Sequence, residues 1–279
     1  MGNVSNQKSK AEEFRKLHQG KSILVLPNIW DPLGAALLES LGYKAIATAS
    51  ASVAWTSGFH DGEHIPLEEV TKRLAQIVKS VDIPVSADFE SGYAENEIQL
   101  EKNIELLLQT GIVGINLEDF DKQSGLPFPP EVQCKRIHAV KKVANAMQVP
   151  LFINARTDAY FRGKHTDQKK KINETIERGK AYMDAGADCF FPLAVKGKDE
   201  LTHLLTCLKC PINVIAIPGI PDLKTLQEIG VTRVSLGPGF LKIAIKAMKD
   251  LAQKLKNNEG LEEVTSNDIT SDFVKNLIK

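Results

Sequence analysis

The chain predicts an α/β fold, an eight-stranded (β/α)8 TIM barrel, on three observations. Short apolar runs alternate with amphipathic helical patterns eight times along its 279 residues. The runs are apolar without clean alternation, which is how strands covered on both faces read. Gly42, Gly111, Gly186 and Gly230 each stand one to three residues ahead of a run, where helix-ending glycines belong. An open doubly wound sheet has similar content, but no glycine-rich GxGxxG turn follows the first run.

Taken in order, the runs place strands at 22–27, 45–48, 83–87, 113–117, 151–154, 189–193, 212–216 and 231–236. The 3.6-residue patterns between them place helices near 33–42, 67–80, 96–110, 131–147, 168–185, 199–208, 222–229 and 239–257. A leading helix at 5–19 and a trailing one at 266–278 are not needed to close eight units. They are expected to cap the barrel or to cross to a partner subunit. Residues 1–279 thus read as one barrel domain, with 1–20 and 260–279 as its end segments.

Composition narrows the function. The 35 Lys+Arg balance 35 Asp+Glu, without the basic surplus that nucleic acid or an anionic membrane surface demands. The polar residues before Lys21 contain no apolar signal segment, and no run approaches the ~20 apolar residues of a membrane span. Four scattered cysteines do not make a disulfide framework, so a cytoplasmic protein with reduced thiols is expected. Cys207 and Cys210 have CxxC spacing, but only His203 is near enough in sequence to join them, so they read as incidental thiols.

In a parallel barrel, chemistry gathers where strands end. Asn28-Ile-Trp-Asp31 follows the first run, and Thr48-Ala-Ser-Ala-Ser52 follows the second, with Asp61 further along its loop. Asp88-Phe-Glu90-Ser-Gly-Tyr93 follows the third, Glu118-Asp119 the fourth and Asn154-Ala-Arg156-Thr-Asp158 the fifth. Asp88, Glu90 and Glu118 therefore converge on one mouth beside Asp61. Asp88 and Glu90, two apart, share a strand face. Unpaired carboxylates this close call for a cation, and an all-oxygen set without a His or Cys cluster suits Mg2+ or Mn2+, held partly through waters. Arg156 could grip a substrate carboxylate in bidentate fashion. The competing reading is a rim of ion pairs, Arg156 against Glu118 for example. Asp119, Asp121 and Asp158 read as loop solvators or turn formers, and His60, His64, His138 and His165 as structural or exposed.

At these residues the sequence resembles the isocitrate lyase / phosphoenolpyruvate mutase superfamily. The likeness runs from Asn28-Ile-Trp-Asp-Pro-Leu-Gly-Ala35 to Ser235-Leu-Gly-Pro-Gly239. Its most specific part is Ser86-Ala-Asp-Phe-Glu-Ser-Gly-Tyr93, similar to the family's D-x-D-x-G-[FY]-G segment. Gly114-Ile-Asn-Leu-Glu-Asp119, Asn154-Ala-Arg-Thr-Asp158 and Ala185-Gly-Ala-Asp188 follow in the family's order. The resemblance implies a barrel whose last helix is exchanged between subunits of a homodimer or homotetramer. It also implies Mg2+ at Asp61, Asp88, Glu90 and Glu118, largely through waters, and a small 2-oxo or 2-hydroxy carboxylate as substrate. That carboxylate would meet the backbone amides at Ser50 and Ala51 and the guanidinium of Arg156. The chemistry would pass through a pyruvate enolate or related oxyanion.

The sequence departs from the family at three points. Glu90 stands where well-known members carry Asp, and Ala94 replaces the segment's final glycine. The loop after the fourth strand, 120–130, has neither the lyases' Lys-Lys/Arg-Cys-Gly-His nor the mutases' Lys-x-Asn-Ser. Lys122 and Ser124 are its nearest polar substitutes. Cys134 lies beyond it, on the next helix. Its Gly and Pro residues suit a lid. The expected activity is a Mg2+-dependent lyase cutting a C–C bond beside a 2-oxo or 2-hydroxy acid. Tyr93 and Asn213 would orient the substrate, and Lys122 or a water would act as acid/base. Phosphonate P–C chemistry and non-catalytic 2-oxo acid binding are the alternatives.

Overall fold

A computed structural model describes residues 4–20 and 22–278. Its strands are β1 (Leu24–Leu26), β2 (Asn28–Ile29), β3 (Ile46–Thr48), β4 (Val85–Asp88), β5 (Gly114–Glu118), β6 (Phe120–Asp121), β7 (Leu126–Pro127), β8 (Phe152–Thr157), β9 (Cys189–Pro192), β10 (Asn213–Ile215) and β11 (Arg233–Ser235). One ladder runs β2-β3-β4-β5-β8-β9 and another β1-β11-β10, all parallel. A parallel bridge from Phe190 to Ile212 joins them at one seam, and Pro27 joins β1 to β2 at the other. Proline cannot donate to a ladder, which is why the first barrel strand is split there. The ring is thus closed by eight parallel strands, as the alternation predicts.

The outer helices form for reasons visible in their sequences. In helix Leu67–Lys79, Val70, Leu74 and Ile77 make one apolar stripe and are buried against the barrel, while Glu68 and Glu69 occupy the first turn, where the helix dipole favours acid. Asn96, Asp167 and Asp222 cap their helices by accepting from Gln99, Lys170 and Thr225 amides at 3.0, 2.9 and 2.8 Å. Gly230 ends its helix in the left-handed region, φ +96°.

The leading helix, Val4–Leu17, caps the barrel's N-terminal end in its own chain. Ala11 and Phe14 are fully buried there, and a Cβ on Gly114 would sit 2.8 Å from Phe14 Cε1. Phe14 can therefore close the barrel floor only because residue 114 is glycine. The trailing segment corrects the sequence expectation of one helix over 266–278. It forms two short helices, Leu261–Thr265 and Ser271–Leu277, because the Thr270 hydroxyl accepts from the Phe273 amide and starts a new helix. Among the described residues, no helix is long and apolar enough to cross a membrane.

Two mouth features were not foreseen. A helix, Ser50–Thr56, begins directly after β3, and a four-residue helix, Ala159–Arg162, follows β8. The 120–130 segment is a small antiparallel hairpin, β6 with β7, its turn set by Asp121 accepting from the Gln123 and Ser124 amides. Asp121 is thus the turn former the sequence suggests.

Candidate active site

Strand register arranges the polar residues in two levels. Asp88, Asn116 and Asn154 are partners across β4, β5 and β8, with Glu118 and Arg156 paired two residues higher. In the lower level, Asn116 Nδ2 donates to Asp88 Oδ1 at 3.1 Å, and Asn154 Nδ2 donates to Asn116 Oδ1 at 2.8 Å. Asp88 Oδ2 accepts from the amide and hydroxyl of Ser50 at 3.1 and 2.9 Å. The Ser50 amide is therefore already engaged by Asp88.

In the upper level, Arg156 NH1 stands 2.8 Å from Glu118 Oε2, so the rim ion pair suggested by sequence is present. That oxygen is buried without an aligned hydrogen bond and keeps acceptor capacity. Arg156 also donates Nε and NH2 to Asp158 at 2.8 and 3.1 Å. Burial works against its charge, but Glu118 and Asp158 outweigh burial and hold the guanidinium charged. Burial pushes the Glu118 carboxyl up, and Arg156 opposes it. Burial also pushes the Asp61 carboxyl up, with Asp88 adding repulsion.

The loop after β4 is wound tightly: Glu90, Gly92 and Tyr93 have φ of +50°, +84° and +54°. A bulky residue in that region is uncommon and is held only where surrounding contacts fix it. Here Glu63 fixes it, accepting from the Ser91 hydroxyl at 2.8 Å and the Tyr93 amide at 2.9 Å, and pairing with Lys122. The winding buries Glu90 beside other acids, and burial followed by repulsion from Asp61, Asp88 and Glu63 raises its carboxyl to about 8. Tyr93 donates to Glu90 Oε1 at 3.4 Å, and burial then Glu90 keep its phenol protonated.

These residues enclose two joined chambers. The inner one, about 220 Å3, is lined by Ala51, Asp88, Asn116, Ser235 and Trp55 among others. The outer one, about 430 Å3, is lined by Glu63, His64, Glu90, Glu118, Lys122, Asp158 and Arg162 among others. Ser50, Asp61 and Arg156 border both.

The predicted metal residues thus gather at one mouth, and their chemistry fits a hard cation, since crowded carboxylates such as Glu90 would be relieved by one. Both Asp88 oxygens are already hydrogen-bonded, however, and among the described residues no three His, Cys, Asp or Glu side chains stand close enough to hold an ion directly. The donor set fits a hydrated ion held through waters rather than a direct protein cage.

Several placements correct the sequence reading. Asn213 does not line the chambers described; it is fully buried at the start of β10, beside Arg233, and accepts from Ser235 Oγ at 3.1 Å. In a parallel barrel the mouth lies at the strand's C-terminal end, so Ile215 rather than Asn213 reaches it. Tyr93 lines a neighbouring cavity that shares Glu63 and Lys122 with the outer chamber, and its hydroxyl meets the chamber wall at Glu90. Asp119 and Asp158 are not solvators: they are 0% and 1% exposed. Asp119 accepts from Thr157 Oγ1 (2.6 Å), the Asp158 amide (3.0 Å), Arg178 NH1 (3.2 Å) and Tyr182 OH (2.6 Å). Sequence reasoning also missed Glu63, His64 and Arg162 in the chamber wall. For Arg162 a signal existed, its i, i+4 spacing from Asp158, and the two do pair at 3.1 Å.

The model of the phosphoenolpyruvate phosphomutase family matches residues 14–256. The chain belongs to the phosphoenolpyruvate mutase/isocitrate lyase superfamily. An uncharacterised protein of Mycobacterium tuberculosis is 31% identical, covering 89% of this chain and 90% of its own. The 2,3-dimethylmalate lyase of Eubacterium barkeri is 28% identical, over 93% of this chain and 91% of its own. A solved structure from Burkholderia cenocepacia, described only as a candidate lyase/mutase, superposes with a TM-score of 0.88 at 29% identity, over 98% and 96% of the two chains. The superfamily's members are lyases and mutases, and this chain is an enzyme of that superfamily.

Proposed function

We propose that the protein is a Mg2+-dependent lyase that cleaves a C–C bond in a small 2-hydroxy or 2-oxo carboxylate through a pyruvate-enolate-like intermediate. The observation that carries this reading is the Glu118–Arg156 pair at the junction of two chambers, one level above Asp88. Arg156, fixed by Asp158, presents a permanent charge to a substrate carboxylate. Asp61, Asp88, Glu90 and Glu118 would hold the cation through waters, and it would supply positive charge beside the oxygen where the enolate develops. In the cleavage of a 2-hydroxy acid, a water would take the hydroxyl proton, the oxygen's electrons form the carbonyl as the C2–C3 bond breaks, and that bond's electron pair leaves on the released fragment as an enolate, which then takes up a proton. Lys122, held by Glu63 over the outer chamber, or a water would deliver that proton. The relatives' names, 2,3-dimethylmalate lyase and 2-methylisocitrate lyase among them, support this class.

A second reading, P–C chemistry on a phosphonate, draws on the outer chamber's three cations, Lys122, Arg156 and Arg162, since such groups want several donors. Glu118→Ala and Arg156→Ala separate site from scaffold: each should abolish turnover while circular dichroism stays native. Full activity in either variant would remove the assignment.

The homodimer or homotetramer is likewise proposed, through the helix Gly239–Lys256. Only Leu241 is buried there, while Ile245, Met248 and Leu255, which share its side of the helix, are exposed, an apolar face suited to a second copy of the chain. Light scattering should give a multiple of the 30.7 kDa chain mass, and Ile245→Lys with Met248→Lys should release monomers.

A further inference from the structure

We infer that Arg136 is a positioning residue of the site: it holds the loop after β4 that carries Glu90 and ties that loop to the base of the 120–127 hairpin. This rests on the reading of Asp61, Asp88, Glu90 and Glu118 as the residues around a hydrated cation. Arg136 belongs to helix Pro130–Ala146, is 1% exposed and lines neither chamber. Its NH1 donates to the Ala94 carbonyl at 3.3 Å, and its NH2 donates to the Ser91 carbonyl. Those two residues bracket Gly92 and Tyr93, both at positive φ. A Cβ on Gly92 would stand 3.6 Å from NH2, so the guanidinium lies against the turn itself. Glu63 grips the same turn through the Ser91 hydroxyl and the Tyr93 amide. A carboxylate thus takes the turn's donors and a guanidinium takes its carbonyls, and the winding so clamped starts at Glu90.

The second attachment is Phe128, at the end of the hairpin. Its ring centroid lies 5.0 Å from the Arg136 guanidinium carbon. The Phe128 amide donates to the Asp119 carbonyl at 2.5 Å, and its carbonyl accepts from Arg178 NH1 at 2.7 Å, so the hairpin base is fixed. Arg136 therefore touches both segments that bring Glu90 and Lys122 to the outer chamber. Space filling does not account for an arginine here. Among the described residues, no carboxylate stands within ion-pairing range of it, and its Nε is buried without an acceptor. Burial works against its charge, opposed at longer range by Glu63, Glu97 and Asp121. An unpaired buried charge is costly, and an apolar side chain of similar volume would avoid that cost. What the guanidinium adds is a rigid pair of donors aimed at two carbonyls of one turn.

The test is Mn2+ binding, read from the free-ion electron paramagnetic resonance signal, in the wild type, Arg136→Met, Arg136→Lys and Leu204→Ala. Leu204 is buried in a separate core cluster and lines neither chamber, so its truncation lowers stability away from the site. Arg136→Met should weaken Mn2+ binding about tenfold or more, the scale on which residues behind a metal site act. Arg136→Lys, with one donor group in place of a planar pair, should fall between, and it carries the comparison alone if Arg136→Met does not fold. Leu204→Ala should keep wild-type affinity although urea unfolding shows it less stable. In the metal-free protein, the Arg136 variants should also speed hydrogen exchange at the Gly92 and Tyr93 amides, by about tenfold for Arg136→Met. Affinity within about twofold of wild type in the folded Arg136 variants, or unchanged exchange at those amides, would overturn the inference and leave the metal reading standing. Equal weakening of Mn2+ binding in Leu204→Ala would overturn it too, as the mark of general loosening. No Mn2+ binding by the wild type would remove both readings.

Discussion

Replacing Asp119 with alanine tests the support beneath Arg156. Asp119 is fully buried and collects four hydrogen bonds, from Thr157, the Asp158 amide, Arg178 and Tyr182. Asp119→Ala strands buried donors and takes one anionic partner from Arg178. Breaking a buried ion pair costs about 3–5 kcal/mol. Arg178 keeps Glu174 at 2.8 Å and the Phe128 carbonyl at 2.7 Å, which points to the lower end, about 3 kcal/mol. A solvating turn residue would cost no more than ~0.5 kcal/mol. Urea unfolding at neutral pH separates the two by midpoint, provided the slope is unchanged. The same variant should weaken carboxylate binding, because the Asp158 amide that Asp119 anchors belongs to the residue fixing Arg156. A loss below about 1 kcal/mol with native ligand affinity would refute the reasoning.

Three further outcomes follow from the geometry. Burial, with the nearby Arg233 charge, lowers His18 to about 3, so the folded state excludes a proton that the unfolded chain binds below about 6.5. Its contribution is complete above that value and declines by about 1.4 kcal/mol per pH unit as pH falls toward 3; His18→Phe should flatten this slope in pH-dependent urea titrations, and an unchanged slope would contradict the assignment. Gly92→Ala combines φ +84° with a Cβ 2.4 Å from buried Leu100 Cδ1, and should cost about 2–4 kcal/mol and displace Glu90, read by thermal unfolding and turnover. Arg233 is fully buried with no carboxylate in ion-pairing range among the described residues, and donates to Ser235 and Asn116; Arg233→Met should leave stability within about 1 kcal/mol or raise it, yet lower ligand affinity by loosening Asn116 beneath Asp88.

The barrel was legible because its signal is periodic. All eight apolar runs became strands, since strands buried on both faces cannot disguise their composition. Asp88, Glu118 and Arg156 were legible as a group because strand phase alone fixes which side chains share a level. Asn213 was misread from the same rule, because being on a strand does not say which end faces the mouth. Asp119 and Asp158 were lost because an acid just after a strand looks the same whether it meets water or a buried arginine. Glu63 and Lys122 meet across separate loops, a contact with no counterpart in sequence spacing. The 266–278 pattern ran past Thr270, whose cap starts the helix late.

The central claim is that the acidic mouth and Arg156 turn over a 2-hydroxy or 2-oxo acid with a divalent cation. The most direct measurement is product detection across 2,3-dimethylmalate, 2-methylisocitrate, oxaloacetate and phosphonopyruvate, each with Mg2+ and with chelator. The account predicts a 2-oxo acid released from at least one carbon acid, dependent on Mg2+ and absent in Glu118→Ala. Product formed only from phosphonopyruvate, or unchanged by chelator and by Glu118→Ala, would contradict it.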